Sequence, residues 1–160
     1  MTYVFDTSSF IAWWNELYPT GTFPDIYELI SHDIGIDLIK SPVEVKKELE
    51  MHTGDELAEW VKNKGSALLI KDDVKLQIRI AYISNNYPKL VKQARKHNAD
   101  PIVIALAESN NWTVVTQENP NKKANIVGCC RDLNVKCISL SQYIRERQEK
   151  LDSIREELWS

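Results

Sequence analysis

Four acidic residues stand where a carboxylate can do chemistry. Asp6 directly follows the apolar run TYVF, and Glu48 lies inside PVEVKKELE. Asp100 immediately precedes the apolar run PIVIALA, and Glu118 follows WTVVT after one intervening residue. Carboxylates brought together repel and raise one another's pKa, so such a cluster persists when a cation neutralises it. Mg²⁺ and Mn²⁺ are hard ions that take oxygen ligands and keep several waters. That arrangement suits phosphodiester cleavage, in which the metal polarises a phosphoryl oxygen and supplies or orients an activated water for in-line attack. No nucleophilic side chain or histidine base is then needed, and His32, His52 and His97 show no pairing with a serine or cysteine.

Each acid also has a plainer reading. Asp100-Pro101 is a common helix start, with Asp at the N-cap and Pro at the first helical position. The two roles are compatible, because one carboxylate oxygen can cap while the other faces a cation. Asp6 alone could form a turn, and Glu118 in TQENPN could be an ordinary loop acid. Glu44 and Glu48 lie one turn apart. Glu44 completes a capping box with Ser41, whereas Glu48 flanks Val45 and Leu49 at the border of the buried face. The metal role therefore goes to Glu48, with Glu44 in reserve.

These acids can meet only if the elements bearing them are neighbours. TYVFD reads as a short strand, and SSFIAWWNEL as a helix capped by Ser8 or Ser9, with Phe10, Trp13, Trp14 and Leu17 at helical spacing. YPTGTFPD is a loop and GIDLIK a second strand. SPVEVKKELE starts a helix with Ser41 as N-cap and Pro42 next; it breaks near HTGD and resumes through ELAEWVKN. SALLIK is a candidate strand. Asp72 caps DVKLQIRIAYISNN, which is apolar on more than one face and so expected to be well buried. KLVKQARKH forms a short basic helix. WTVVT, apolar without alternation, is a strand covered on both faces, and VKCISL is the last strand. QYIRERQEKLDSIREELW is a charged C-terminal helix, about residues 141–159, whose Ile144, Leu151, Ile154 and Leu158 fold back on the domain. Arg145/Glu149 and Glu146/Lys150 form i,i+4 pairs on it. The alternation of strands and helices predicts a three-layer α/β/α fold with a mostly parallel central sheet. In such sheets ligands collect outside the carboxyl ends of the strands.

The totals are those of a globular protein. The 160 residues are 43% hydrophobic and 27% charged, consistent with one domain that buries roughly two thirds of its unfolded surface. No apolar run approaches the ~20 residues of a membrane helix, and no charged-then-apolar leader opens the chain. Cys129, Cys130 and Cys137 lack zinc spacing and imply a reduced, cytoplasmic protein. The net charge of -3 means that an RNA partner needs a local basic patch. Lys89, Lys92 and Lys96 share a helical face with Arg95 beside it, in a segment that runs into Asp100. Lys46, Lys47, Lys122 and Lys123 flank two other acids. Trp13, Trp14 and Tyr87 are candidates for base stacking, the two tryptophans also fitting a core.

YVFDTSSFI, PVEVKKEL, HNADPIVIALA and WTVVTQE, in this order, resemble the PIN-domain ribonucleases over about residues 2 to 140. The resemblance implies a parallel sheet with helices on both sides, an acidic pocket holding Mg²⁺ or Mn²⁺, and metal-dependent RNA cleavage. It also implies kinship with the VapC-type toxins of toxin–antitoxin pairs, which a small antitoxin protein holds inactive. The implied ligands are Asp6, Glu48, Asp100 and Glu118. Thr116 would order the last acid or a water, and Thr7 or Ser8 would do likewise beside Asp6. The last acid of that family is usually Asp. CCRDLNVKC and the long YPTGTFPDIYELI connection also differ from the common toxins, so the chain reads as a less typical branch. The rival readings are a catalytically degenerate module of the same fold that binds RNA or protein, and a small phosphatase. The phosphatase of the haloacid dehalogenase type wants a second acid where Ser8 stands. The C-terminal stripe with Trp159 gives a secondary expectation, a homodimer or a docked inhibitor.

Overall fold

The computed structural model describes residues 1–52, 55–91, 98–118 and 125–160. Five short strands, β1 (Tyr3–Phe5), β2 (Ile39–Pro42), β3 (Leu69–Ile70), β4 (Thr113–Val115) and β5 (Cys137–Ile138), form one sheet in the order β3-β2-β1-β4-β5. Every neighbouring pair is parallel. β1 is central and β4 is buried throughout, as their unbroken apolar runs require of strands covered on both faces. The helices are α1 (Thr7–Ile11), α2 (Pro24–Gly35), α3 (Val43–His52), α4 (Asp55–Lys64), α5 (Val74–Asn86), α6 (Asp100–Asn110), α7 (Ile126–Asp132), α8 (Leu140–Glu146) and α9 (Gln148–Leu158). They flank the sheet on both sides, giving a three-layer α/β/α architecture. The chain steps from β1 to β2 on one side and later returns to β4 on the other. The crevice at the carboxyl end of β1 is thus the switch point of the sheet.

The two faces are built differently. Tyr3 and Phe5 alternate onto one face, and the Tyr143 ring of α8 packs edge-on against both, at 5.0 and 5.2 Å. α6 covers β1, β2 and β4 from the opposite side and buries Val103 through Ala107, so a helix apolar nearly all round fits its central place. Among the described residues, no helix is long and apolar enough to cross a membrane.

Several expectations at the element ends are corrected. Asp6, not Ser8 or Ser9, caps the first helix, and that helix passes into a π-helical stretch, Ala12–Leu17. α2 occupies residues that the sequence reading left between a loop and a strand, its Pro24 in the first turn. Ser41 and Pro42 belong to β2, and the Ser41 hydroxyl donates to the Phe5 carbonyl at 2.6 Å. Asp73 rather than Asp72 caps α5. α5 is not well buried: Leu76 and Ile83 face the core, while Val74 (74%) and Ile78 (70%) are exposed. Its principal packing partner is α6, so one stripe suffices.

The C-terminal segment is two helices, broken at Arg147, and α9 packs on α2. Ile144, Leu151 and Ile154 are buried as expected, but Leu158 is exposed. Glu146 accepts from the Tyr3 hydroxyl at 2.8 Å and faces Lys136, in place of the expected pair with Lys150. The break has a cause. Arg147 donates through Nε and Nη2 to the fully buried Asp33 at 2.8 and 2.9 Å, and the Tyr143 hydroxyl adds a third bond at 2.7 Å. Burial alone would push the Asp33 carboxyl up; the bonds from Arg147, Tyr143 and His32 overcome this and hold it below its ordinary value.

Removing one partner of this pair strands a buried charge, which costs about 3–5 kcal/mol. Arg147→Met is therefore expected to destabilise the chain strongly in urea unfolding at pH 7, and much less in an Asp33→Asn background. Because the folded pKa of Asp33 is depressed, its contribution is present above the ordinary carboxylate range and is lost as the pH falls through the folded value. Equal costs in both backgrounds would refute the coupling.

Candidate functional site

The carboxyl end of β1 delivers Asp6 with extended backbone (φ -86°, ψ 176°) straight into the first turn of α1. An Asp in that position accepts from amides of the turn it caps. Oδ1 accepts from the Ser9 amide at 2.8 Å and the Ser9 hydroxyl at 2.9 Å, and the Ser8 hydroxyl lies 2.8 and 2.9 Å from the two carboxylate oxygens. Thr116, just past β4, donates its hydroxyl to Oδ2. Asp6 is 1% exposed, and no basic side chain contacts it among the described residues. Burial dominates its titration and pushes the carboxyl up to about 6, although the bonds from Thr116, Ser9 and Ser8 favour the charged form.

Glu48 is 4% exposed on α3. Its Oε1 accepts from the Thr7 hydroxyl at 2.5 Å and its Oε2 from the Ala99 amide at 3.2 Å. Ala99 is the N-cap of α6, so Asp100 is the first residue of the helix and not its cap; no side chain caps this end. An acid in the first turn is favoured by the helix dipole. The plain capping role foreseen for Asp100 is thereby removed. Asp100 is half-buried. On the other flank the Glu118 amide donates to the Thr116 hydroxyl at 3.2 Å, and the Gln117 amide to Ser8 at 3.0 Å.

Hydrogen bonds thus form two chains near the carboxyl end of β1: the Asp6 carboxylate to Thr116 and on to the Glu118 amide, and the Thr7 hydroxyl to the Glu48 carboxylate and on to the amide of Ala99, the residue before Asp100. The side chains are less gathered. Among the described residues no three Asp, Glu, His or Cys form a group able to hold a metal. Thr7, Ser8 and Thr116 all join the network. Glu44 pairs with Lys47 at 3.1 Å, and Lys46 pairs with Glu50 at 3.4 Å. Lys89 is exposed on a 3₁₀ turn, Pro88–Leu90. Lys92, Arg95 and Lys96, with Lys122 and Lys123, lie outside the described residues. Trp13 is fully buried in a cluster with Trp14, Tyr27 and Trp60, so it serves the core.

Two contributors were not foreseen in these roles. Ser9 bonds both Asp6 and the Val115 carbonyl (2.6 Å), riveting β1 to β4. The Gln117 side chain accepts from the Leu140 amide at 2.8 Å and so ties the site to the start of α8. The tandem hydroxyls after Asp6 were a signal for the first; nothing local announces the second.

A family model described as a domain of unknown function (DUF4411) matches residues 3–151. The chain belongs to this family. The match takes in every acid of this DUF4411 site. A comparison with curated proteins finds no match.

An acid whose folded pKa lies above its unfolded value stabilises less as the pH rises. For Asp6, with values of about 6 and 3.8, the loss amounts to about 2.4 kcal/mol between pH 4 and pH 8. Asp6→Asn carries no such loss, and the Ser8 and Thr116 hydroxyls can turn to accept from its amide. The stability difference between variant and wild type, read from urea unfolding, is expected to shift toward the variant by about that amount across this range. A difference independent of pH would show that Asp6 ionises without penalty.

Proposed function

We propose that this chain is a Mg²⁺- or Mn²⁺-dependent endoribonuclease of PIN type, and the toxin of a type II toxin–antitoxin pair. The observation that carries the reading is the pair of buried acids at the switch point of a parallel sheet, Asp6 and Glu48, neither compensated by a basic group among the described residues. Buried charges are ordinarily paired or bound to a metal. The donors fit a hard divalent ion in kind, since Asp6, Glu48, Asp100, Glu118 and the nearby hydroxyls offer only oxygen. The four acids would hold it, Glu118 with a longer reach than the aspartate usual at that place. When bound, the ion supplies Lewis-acid polarisation of a phosphodiester and an acidified water.

The chain's own residues do the rest. Burial holds the Asp6 carboxyl up at about 6, so a cation held there would compete with its proton and would be favoured above that pH. Ser8, Ser9 and Thr116 hold the Asp6 carboxylate in one rotamer, and Thr7 and the Ala99 amide do the same for Glu48. Such preorganised ligands need no rearrangement during reaction. An RNA strand would be drawn by Lys89 and by the basic segment before Asp100.

A second reading, an RNA- or protein-binding module of the same fold that does not cut, is favoured by one observation: the side chains do not stand in a metal-holding group among the described residues. One experiment separates the two. Asp6→Asn and Glu48→Gln are each expected to lower Mn²⁺-dependent cleavage of single-stranded RNA by at least about a hundredfold, with the fold retained by circular dichroism. Expression of the wild-type chain, and not of Asp6→Asn, is expected to slow growth. RNA left intact by the wild type in Mn²⁺, or cut equally by both variants, would end the nuclease reading.

A further inference from the structure

Beside the acids lies a cavity of about 250 Å³ that no role above uses. Tyr87 and Leu90 give it an apolar wall, Asn86, Asn125 and Asp132 a polar rim, and Lys89 a cation. Its place follows from the packing of α5 on α6. Lys75 and Leu76 at the start of α5 line one pocket with Leu106, Ser109 and Asn110 at the end of α6, and Arg79 in mid-α5 makes two bonds to Glu108 at 2.5 and 2.8 Å, so the helices run antiparallel. The far end of α5, which carries Asn86 and leads into Tyr87, is therefore carried toward Asp100. Asn125 begins α7, the helix after β4 and Glu118.

We propose that this cavity is a subsite for one nucleotide of a single-stranded RNA, its base stacked on Tyr87 and its phosphate held by Lys89. The inference rests on the ribonuclease reading and names the determinant of its sequence preference. Drug-sized ligands fill about 300–1,000 Å³, so the volume admits one base and excludes larger occupants. Single-stranded RNA is recognised by stacking splayed bases on aromatic rings and by bonding their exposed edges. Asn86 is anchored through Nδ2 to the Tyr82 carbonyl at 2.8 Å, which directs its carbonyl oxygen as an acceptor. Asp132 adds an acceptor for base N–H groups. Lys89 forms no ion pair among the described residues, unlike Lys46 and Lys47. Its charge remains available to a phosphate.

The test measures binding without metal, so that nothing is cut. The wild-type chain is titrated calorimetrically with the four nucleoside 5′-monophosphates and with single-stranded tetraribonucleotides of each base. Stacking contributes about 1–3 kcal/mol per base, so Tyr87→Ala is expected to weaken tetranucleotide binding roughly 5- to 150-fold. Tyr87→Phe should retain it and serves as the folding control. Lys89→Gln should weaken binding at low salt and lose its effect at high salt. Tetranucleotide affinity unchanged in Tyr87→Ala, or no binding of any probe, overturns the subsite. Binding of the monophosphates to the exclusion of the tetranucleotides also overturns it, in favour of a free nucleotide. RNA bound in a Tyr87-dependent way but never cleaved in Mn²⁺ leaves the subsite standing and removes the nuclease. Cleavage with a base preference untouched by Tyr87→Ala does the reverse.

Discussion

The structure turns on the burial of one carboxyl group without a counter-charge. Asp6 sits at the crossing of the central strand, its neighbour β4 and the first helix, and donors from the helix and from Thr116 just past β4 fix it there. A carboxylate excluded from water is destabilised by several kcal/mol unless something answers its charge. Four donors answer only part of it, which is why burial still dominates its titration. The same contacts that orient the group also close the sheet: Ser9 reaches Val115, Ser41 reaches Phe5, and Asp6 donates its own amide to the Val115 carbonyl at 3.2 Å. Chemistry and architecture share one set of hydroxyls, so a change to either disturbs the other.

Away from that edge the molecule solves its electrostatics in the usual way. Asp33 and Asp25 are also buried, yet each faces an arginine, Arg147 and Arg155, from the C-terminal helices. Buried acids paired with guanidinium contrast within a single chain with Asp6 and Glu48, which are buried without a basic partner among the described residues. Only the former have the counter-charge that ordinarily offsets burial.

Much of this was legible in the residues. Strands without polar alternation, TYVF and WTVVT, announced a sheet covered on both faces. The helix ends were less legible, because a cap is decided by backbone torsion rather than residue type. Asp6 and Ser8 are both good caps, and the extended backbone at Asp6 decides between them. Asp100 lost its expected cap role because Ala99 already takes that place and gives its amide to Glu48, a contact across 51 residues that no local pattern carries. The exposure of α5 and the break at Arg147 are likewise tertiary: one depends on which helix lies next to it, the other on a distant aspartate. Gln117 was invisible for the same reason, since its partner is the start of a helix that follows the next strand.

The bracing of β1 by α8 also sets an order in time. Tyr3 and Glu146 touch across 143 residues of chain, and the strand bearing Asp6 must wait for β4 as well. At synthesis rates of about 5–20 residues per second, roughly 7 to 30 s separate the emergence of the first of these residues from the last. Contacts of such high sequence separation form late and slowly. A chain cut short before α8 therefore carries Asp6, Glu48, Asp100, Glu118 and all five strands, but lacks the Tyr143 and Glu146 side chains that brace Tyr3 and Phe5.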